Sequence, residues 1–370
     1  MPVCAACHAT RGFNKCALEA PPFSQRAAYP VCKECLRAGK CAAVPAVGPE
    51  SLDPTDLTRK HTRLQDFKLL AVIGQGAFGK VLLVRHGGTN QVHAMKIISK
   101  KFLHERDSVR YMRAERDIMT KLYLVMDFQP GGELFSYLRQ EGTFSEDKAR
   151  FYLAEMILAL EHLHSKGIIH RDLKPENVLI SAEGHVKLTD FGLAKECGEG
   201  AHLNTVCGTK EYMAPEMLLG KGYDAAVDWW SLGALAFEML VGEPPFRGRS
   251  DRDTPQKILT AKLQLPKWLS ADAHSLLKAL LERNVSKRLG CGKSTMFAKL
   301  DWNAVEKCQV VPPMVPVVQH EADTSHFDAK FTKLPAADLH CDDVVPEDVE
   351  NLFAGFSFYG LESLEALDIY

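Results

Sequence analysis

The chain has 370 residues, 46% of them hydrophobic and 25% charged, with a formal net charge of -2. That length exceeds one ordinary small domain and suits a large two-lobed domain with appendages, while the hydrophobic content excludes wholesale disorder. Near-neutral charge gives no global attraction to nucleic acid or an anionic membrane, so neither is expected as a partner.

The head is unlike the rest: Cys4, Cys7, Cys16, Cys32, Cys35 and Cys41 all lie in it, out of 11 cysteines in the chain. Residues 1–45 hold two Cys-x-x-Cys pairs, Cys4/Cys7 and Cys32/Cys35, enough thiolates for a closed tetrahedral Zn²⁺ site. So short a stretch buries little core, and a structural metal would supply much of its folding energy. His8, Cys16 and Cys41 are spare or substitute ligands. The remaining cysteines, at 197, 207, 291, 308 and 341, read as free thiols. No signal-peptide pattern opens the chain and no run of about 18 apolar residues crosses it, so no transmembrane segment is expected. The expected compartment is the cytoplasm, with the nucleus as a second one. Residues 46–66, with Pro49 and Pro54, read as a linker.

From Phe67 to Ile98, aliphatic residues alternate with small or polar ones and glycines punctuate them, which predicts antiparallel strands. Residues 105–120 carry a charged helical pattern, and Leu122 to Phe128 a short strand. From Glu146 onward the period becomes helical, with Phe151, Met156, Ile157 and Leu160 on one face and Leu276, Leu277, Leu280 and Leu281 on another. The expected fold is α+β, a small antiparallel β lobe with one helix followed by a large helical lobe. The tail is acidic: residues 315–370 hold two Lys/Arg against twelve Asp/Glu.

Chemistry-bearing motifs follow in a fixed order. Ile73-Gly74-Gln75-Gly76-Ala77-Phe78-Gly79-Lys80-Val81 is a glycine-rich turn whose amides can approach phosphate oxygens. A strand follows it rather than a helix, which favours a hairpin over phosphates and not a dinucleotide fold. Lys96, in Ala94-Met95-Lys96, points from a strand end and needs an anionic partner if buried. Then come His170-Arg171-Asp172-Leu173-Lys174-Pro175-Glu176-Asn177, Asp190-Phe191-Gly192 and Ala214-Pro215-Glu216. Each fragment is common alone, and the ordered set is not.

Over residues 67–302 this set resembles the eukaryotic protein kinases. The activation segment, Thr205-Val206-Cys207-Gly208-Thr209, and the tail landmarks Phe327-Asp328-Ala329-Lys330-Phe331 and Phe353-Ala354-Gly355-Phe356-Ser357-Phe358 resemble the AGC group of serine/threonine kinases, especially the ribosomal-protein kinases. Residues 303–370 would be that group's C-terminal extension. The resemblance implies transfer of the γ-phosphoryl of ATP to serine or threonine of protein substrates, with ATP and Mg²⁺ as cofactors. It assigns Lys96 to the α and β phosphates and to an ion pair with Glu115, Asp190 and Asn177 to Mg²⁺, Asp172 to the substrate hydroxyl proton and Lys174 to the transferring phosphate. The ATP site would comprise Ile73, Gly74, Gly76, Gly79, Val81, Ala94, Lys96, Met126, Asp127, Gln129, Glu133 and Leu179. Glu133, Glu176 and Glu238 match positions that read arginines ahead of the acceptor. Thr205, acted on by an upstream kinase, and Ser357 would be regulatory phosphorylation sites, with Arg171 and Lys195 receiving the Thr205 phosphate. Thr209 would bridge Asp172 and Lys174, Glu216 would pair with Arg288, and Asp228 would brace the catalytic loop. The zinc module would offer a surface for a further partner.

The resemblance also has departures. Only Met119 and Thr120 separate the helix end from Lys121, where relatives have about twenty residues, and a span of about 20 Å needs ~6 residues at ~3.3 Å each. A catalytically impaired scaffold, or an incomplete gene-model product, is therefore the alternative to an active enzyme. A second shortening lies between Gly290 and Asp301. Asp338 stands where relatives carry a phosphorylated residue, and reads as a solvated aspartate or as a fixed charge.

Overall fold

The computed structural model describes residues 64–76, 79–99, 121–198, 202–250, 252–290 and 294–338. All belong to one compact unit, Leu64–Tyr370. The cysteine head, the 105–120 segment with Glu115, and the segment with Phe356, Ser357 and Phe358 lie outside the described residues.

Four strands form the small lobe: β1 (Phe67–Gly76), β2 (Gly79–His86), β3 (Val92–Ser99) and β4 (Lys121–Asp127), antiparallel and in that order across the sheet. Because side chains alternate along a strand, the sheet has two apolar faces. Val72, Leu82, Val84, Met95 and Ile97 form the outer one. Ile73, Leu83 and Ala94 form the one facing the cleft. The register sets Lys96 between Val81 and Leu124, and Ala94 between Leu83 and Met126. β4 pairs with β3 over its whole length.

A short helix α1 (Leu134–Glu141) opens the large lobe, which is built on α2 (Glu146–Ser165). Ser145 caps α2, accepting from the Lys148 N–H, and Glu146 and Asp147 complement the positive helix end. The strand pair β5 (Ile168–Ile169) and β8 (Lys195–Glu196) and the hairpin β6 (Val178–Ile180) and β7 (Val186–Leu188) frame the catalytic loop. After α3 (Pro215–Leu218) comes α4 (Ala226–Val241), in which every residue from Val227 to Leu240 is buried. A helix apolar all round belongs at a core centre, and α4 packs between α2 and α6 (Ala271–Leu280), with α5 (Asp253–Thr260) nearby in sequence. The expected apolar face of Leu276, Leu277 and Leu280 is buried there. In the shortened stretch after Gly290, the described residues hold only a 3-10 turn, Thr295–Phe297.

The tail leaves α7 (Trp302–Glu306) and returns to the small lobe, ending in α8 (Ala329–Thr332) against β1. Phe327 stacks on Phe128 at 5.6 Å between ring centres and joins the cleft-side cluster. Phe331 joins the outer one. Glu321 pairs with Arg85 on β2. No helix of the described residues is long and apolar enough to cross a membrane.

Candidate active site

The loop between β5 and β6 carries the catalytic motif and hangs from the core. Asp228, fully buried on α4, accepts from the His170 N–H at 2.9 Å, the Arg171 N–H at 2.8 Å and His164 Nε2 at 2.8 Å. Two backbone donors on one carboxylate pin the loop while Arg171 takes a left-handed conformation (φ 69°). His170 is buried, its Nε2 donating to the Thr189 carbonyl at 3.1 Å and its ring edge-on to Phe191 at 5.2 Å.

Asp172 sits at the centre of a network. Its Oδ1 accepts from both N and Oγ1 of Thr209, each at 2.8 Å, and its Oδ2 meets Lys174 Nζ at 2.9 Å and Asn177 Nδ2 at 3.1 Å. Lys174 also donates to Thr209 Oγ1 at 2.9 Å, so Thr209 bridges the two as expected. Only glycine fits at 208: its φ is 102°, and a Cβ there would lie 2.6 Å from the Arg171 carbonyl oxygen. That close approach brings Thr209 onto Asp172.

Across the cleft, Lys96 Nζ meets Asp190 Oδ1 at 2.6 Å. Asp190 is itself left-handed (φ 58°) and caps the Phe191–Leu193 turn through the Gly192 N–H. Burial pushes its carboxyl upward, but the Lys96 ammonium and the Gly192 N–H outweigh burial and hold it below the usual carboxylate range. Ile73, Val81, Ala94 and Leu179 provide the apolar residues of the cleft region, and Met126, Asp127 and Gln129 follow along β4 and beyond it. Gly76 pairs with Gly79 at the hairpin end. Gly79 (φ 146°) must lack a Cβ, which would lie 1.8 Å from the Ile97 oxygen.

The three expected arginine readers divide. Glu133 and Glu176 line one cleft of about 700 Å³ together with Ile73, Tyr137, His326 and Phe327. Burial, and then the negative Glu176 beside it, push Glu133 up to about 7. Glu176 Oε2 is buried and accepts no hydrogen bond. Glu238 is no solvated surface charge: it is buried, it accepts from the Tyr212 hydroxyl, and burial raises its pKa.

At the activation segment Thr205 is exposed, while its carbonyl accepts from the Tyr223 hydroxyl at 2.7 Å. That same hydroxyl accepts from Arg171 at 3.1 Å, and Arg171 Nε donates to the Leu193 carbonyl at 2.6 Å. Tyr223, His164 and Tyr212 are residues the motif reading missed, because no spacing marks them. Below the site Arg288 forks onto Glu216 at 2.6 and 2.9 Å, as expected.

The protein kinase domain family matches residues 109–298, just over half of the chain. The chain belongs to the protein kinase family. The protein kinase C terminal domain family matches residues 318–358. The kinase is 44% identical to the serine/threonine-protein kinase AtPK2/AtPK19 of Arabidopsis thaliana, over 80% of this chain and 68% of that protein. It is 44% identical to ribosomal protein S6 kinase beta of Caenorhabditis elegans (82% and 61%) and 45% identical to human ribosomal protein S6 kinase alpha-2 (79% and 44%). It is thus a serine/threonine kinase of the AGC type, similar to S6 kinases, and spans less than two thirds of the latter two relatives. The scaffold alternative is not favoured. A protein kinase implies ATP and Mg²⁺, and the donor set fits: Asn177 commits Nδ2 to Asp172, leaving its amide oxygen, and Asp190 adds carboxylate oxygen, the hard ligands Mg²⁺ prefers.

Proposed function

We propose that this kinase phosphorylates serine or threonine in protein segments that carry arginine close to the acceptor. The observation that carries this is the Glu133–Glu176 pair, one carboxylate pushed up to about 7 and the other with its Oε2 buried without a hydrogen bond. Two crowded carboxylates favour a guanidinium, which relieves their repulsion and can donate to both. Asp172 would accept the hydroxyl proton, with Thr209 and Asn177 fixing its carboxylate. Lys174, ion-paired to Asp172, is poised to neutralise charge on the phosphoryl in flight. Lys96 and Asp190 would orient the nucleotide, and Mg²⁺ held by Asp190 and Asn177 would neutralise phosphate charge when bound.

The test is peptide phosphorylation by the full chain. Glu133→Gln with Glu176→Gln should lower kcat/KM about tenfold or more for arginine-containing peptides and far less for matched peptides without arginine. An equal loss on both sets would refute the arginine reading.

Regulation belongs to the same proposal. A phosphate on Thr205, placed by an upstream kinase, would lie close to Arg171, which Tyr223 links to the Thr205 backbone. Ser357 would regulate docking of Phe356 and Phe358. Cys4, Cys7, Cys32 and Cys35 would hold a structural Zn²⁺, and that module would bind a partner; this rests on the paired spacing alone. Metal analysis of freshly reduced protein tests it: about one Zn²⁺ per chain supports the site, and its absence removes it.

A further inference from the structure

Among the described residues β4 is the last strand of its sheet, laddered to β3 on one side. End strands open first, because only one ladder holds them. This one carries weight for the cleft. Its even-numbered side chains face inward: Leu122 is 5% exposed, Leu124 lies opposite Lys96, and Met126 lies opposite Ala94. Its odd-numbered side chains, Lys121 and Tyr123, share the opposite, outer face.

The tail grips that outer face. Asp338 Oδ2 meets Lys121 Nζ at 2.9 Å and accepts from the Tyr123 hydroxyl at 3.0 Å. One residue earlier, the Ala337 carbonyl accepts from Lys80 Nζ at 3.2 Å. Lys80, Ile97 and Tyr123 are cross-strand neighbours on β2, β3 and β4, so the tail end runs along one row of the sheet. Phe331 and Tyr123 pack against the same outer cluster. Asp338 is therefore no solvated aspartate; its side chain is 31% exposed and that of Lys121 13%.

We propose that Asp338 is a positioning residue for the nucleotide site: by holding Lys121 and Tyr123 it secures the start of β4 and keeps Leu124 and Met126 behind Lys96 and Ala94. The clamp acts through a strand and touches neither nucleotide nor acceptor. It rests on the kinase reading of the cleft. It uses a carboxylate built into the chain, so it is set whenever the tail is seated.

The experiment uses the full chain and its Asp338→Ala and Asp338→Asn variants, with the charge-reversed double variant Lys121→Asp, Asp338→Lys. Two quantities are read: amide hydrogen exchange in 121–127, and affinity for a fluorescent ATP analogue with Mg²⁺. The single variants should speed exchange in 121–127 about tenfold while leaving 226–241 unchanged, and should weaken nucleotide binding about three- to tenfold. Charge reversal should recover a good part of both. Unchanged exchange in both single variants would overturn the clamp. Faster exchange with unchanged nucleotide affinity would overturn its link to the site. A parent chain that fails to bind nucleotide would sink the kinase reading itself, which separates that failure from this one.

Discussion

In the large lobe the catalytic loop hangs on Asp228, a carboxylate with no exposed surface, set in the first turn of the most buried helix. In the small lobe the strand that backs Lys96 is tied by Asp338, a partly exposed carboxylate reached from the tail. The first anchor stands in a continuous core running through α2, α4 and α6. The second sits over a sheet whose apolar residues divide into two small clusters, one on each face, both completed by tail residues. Water can partly replace an exposed anchor and cannot replace a buried one. The lobe that carries the acceptor chemistry is thus rigid on its own account, whereas the lobe that would carry nucleotide depends on a distant segment.

The largest effect should come from Asp228→Ala. It strands two backbone N–H groups and His164 in the core, and chemical denaturation should show a loss of about 3–5 kcal/mol together with loss of phosphotransfer. Arg288→Ala leaves Glu216 buried and unpaired, with a loss of about 3 kcal/mol; adding Glu216→Leu should recover much of it, because a paired apolar replacement removes the stranded charge. Tyr223→Phe is a smaller perturbation, removing one hydroxyl that serves two partners. About 1 kcal/mol is expected, read as faster proteolysis of the activation segment without a change in the exchange of 121–127. A change at 121–127 would break the contrast between the lobes.

The mildest effect is on pH dependence. Glu133, raised to about 7, is neutral below that pH and ionised above it. Arginine binding requires the ionised form, so KM for arginine peptides should fall as pH rises from 6 to 8, and Glu133→Gln should flatten that part of the profile. In stability the sign is opposite: the raised carboxyl costs nothing below its ordinary pKa of 4.5 and weighs against the fold as pH climbs from there through 7.

Elements with a strong period were legible before any coordinates. The strands from Phe67 to Ile98, the face of α2 and the leucines of α6 follow from alternation or from a 3.6-residue repeat, because each reflects burial on one side of a local element. Motif residues such as Asp172, Asn177 and Asp190 were equally plain, since their spacing is set by short loops. What stayed hidden is non-local. Nothing beside Asp228 announces His164 as its partner, and nothing near Asp338 points to Lys121, 217 residues away. Glu238 shows the same limit: grouped by residue type with Glu133 and Glu176, it is committed to Tyr212 by tertiary packing. Tyr223 joins Arg171 to Thr205 only because the chain returns there after the activation segment.

The distance between Lys121 and Asp338 along the chain also has a meaning in time. During synthesis at ~5–20 residues per second, the strand leaves the ribosome about 10–40 s before the residue that ties it. Contacts between such remote segments form late, after the loop they close has been ordered. Through that interval the outer face of the young sheet, with Leu82, Met95 and Ile97, has no Phe331 over it. The nascent chain therefore passes through a stage in which that apolar sheet face has Leu64, Phe67, Leu69 and Tyr123 against it but lacks its cover from the tail, the state in which a molecular chaperone would find most to hold.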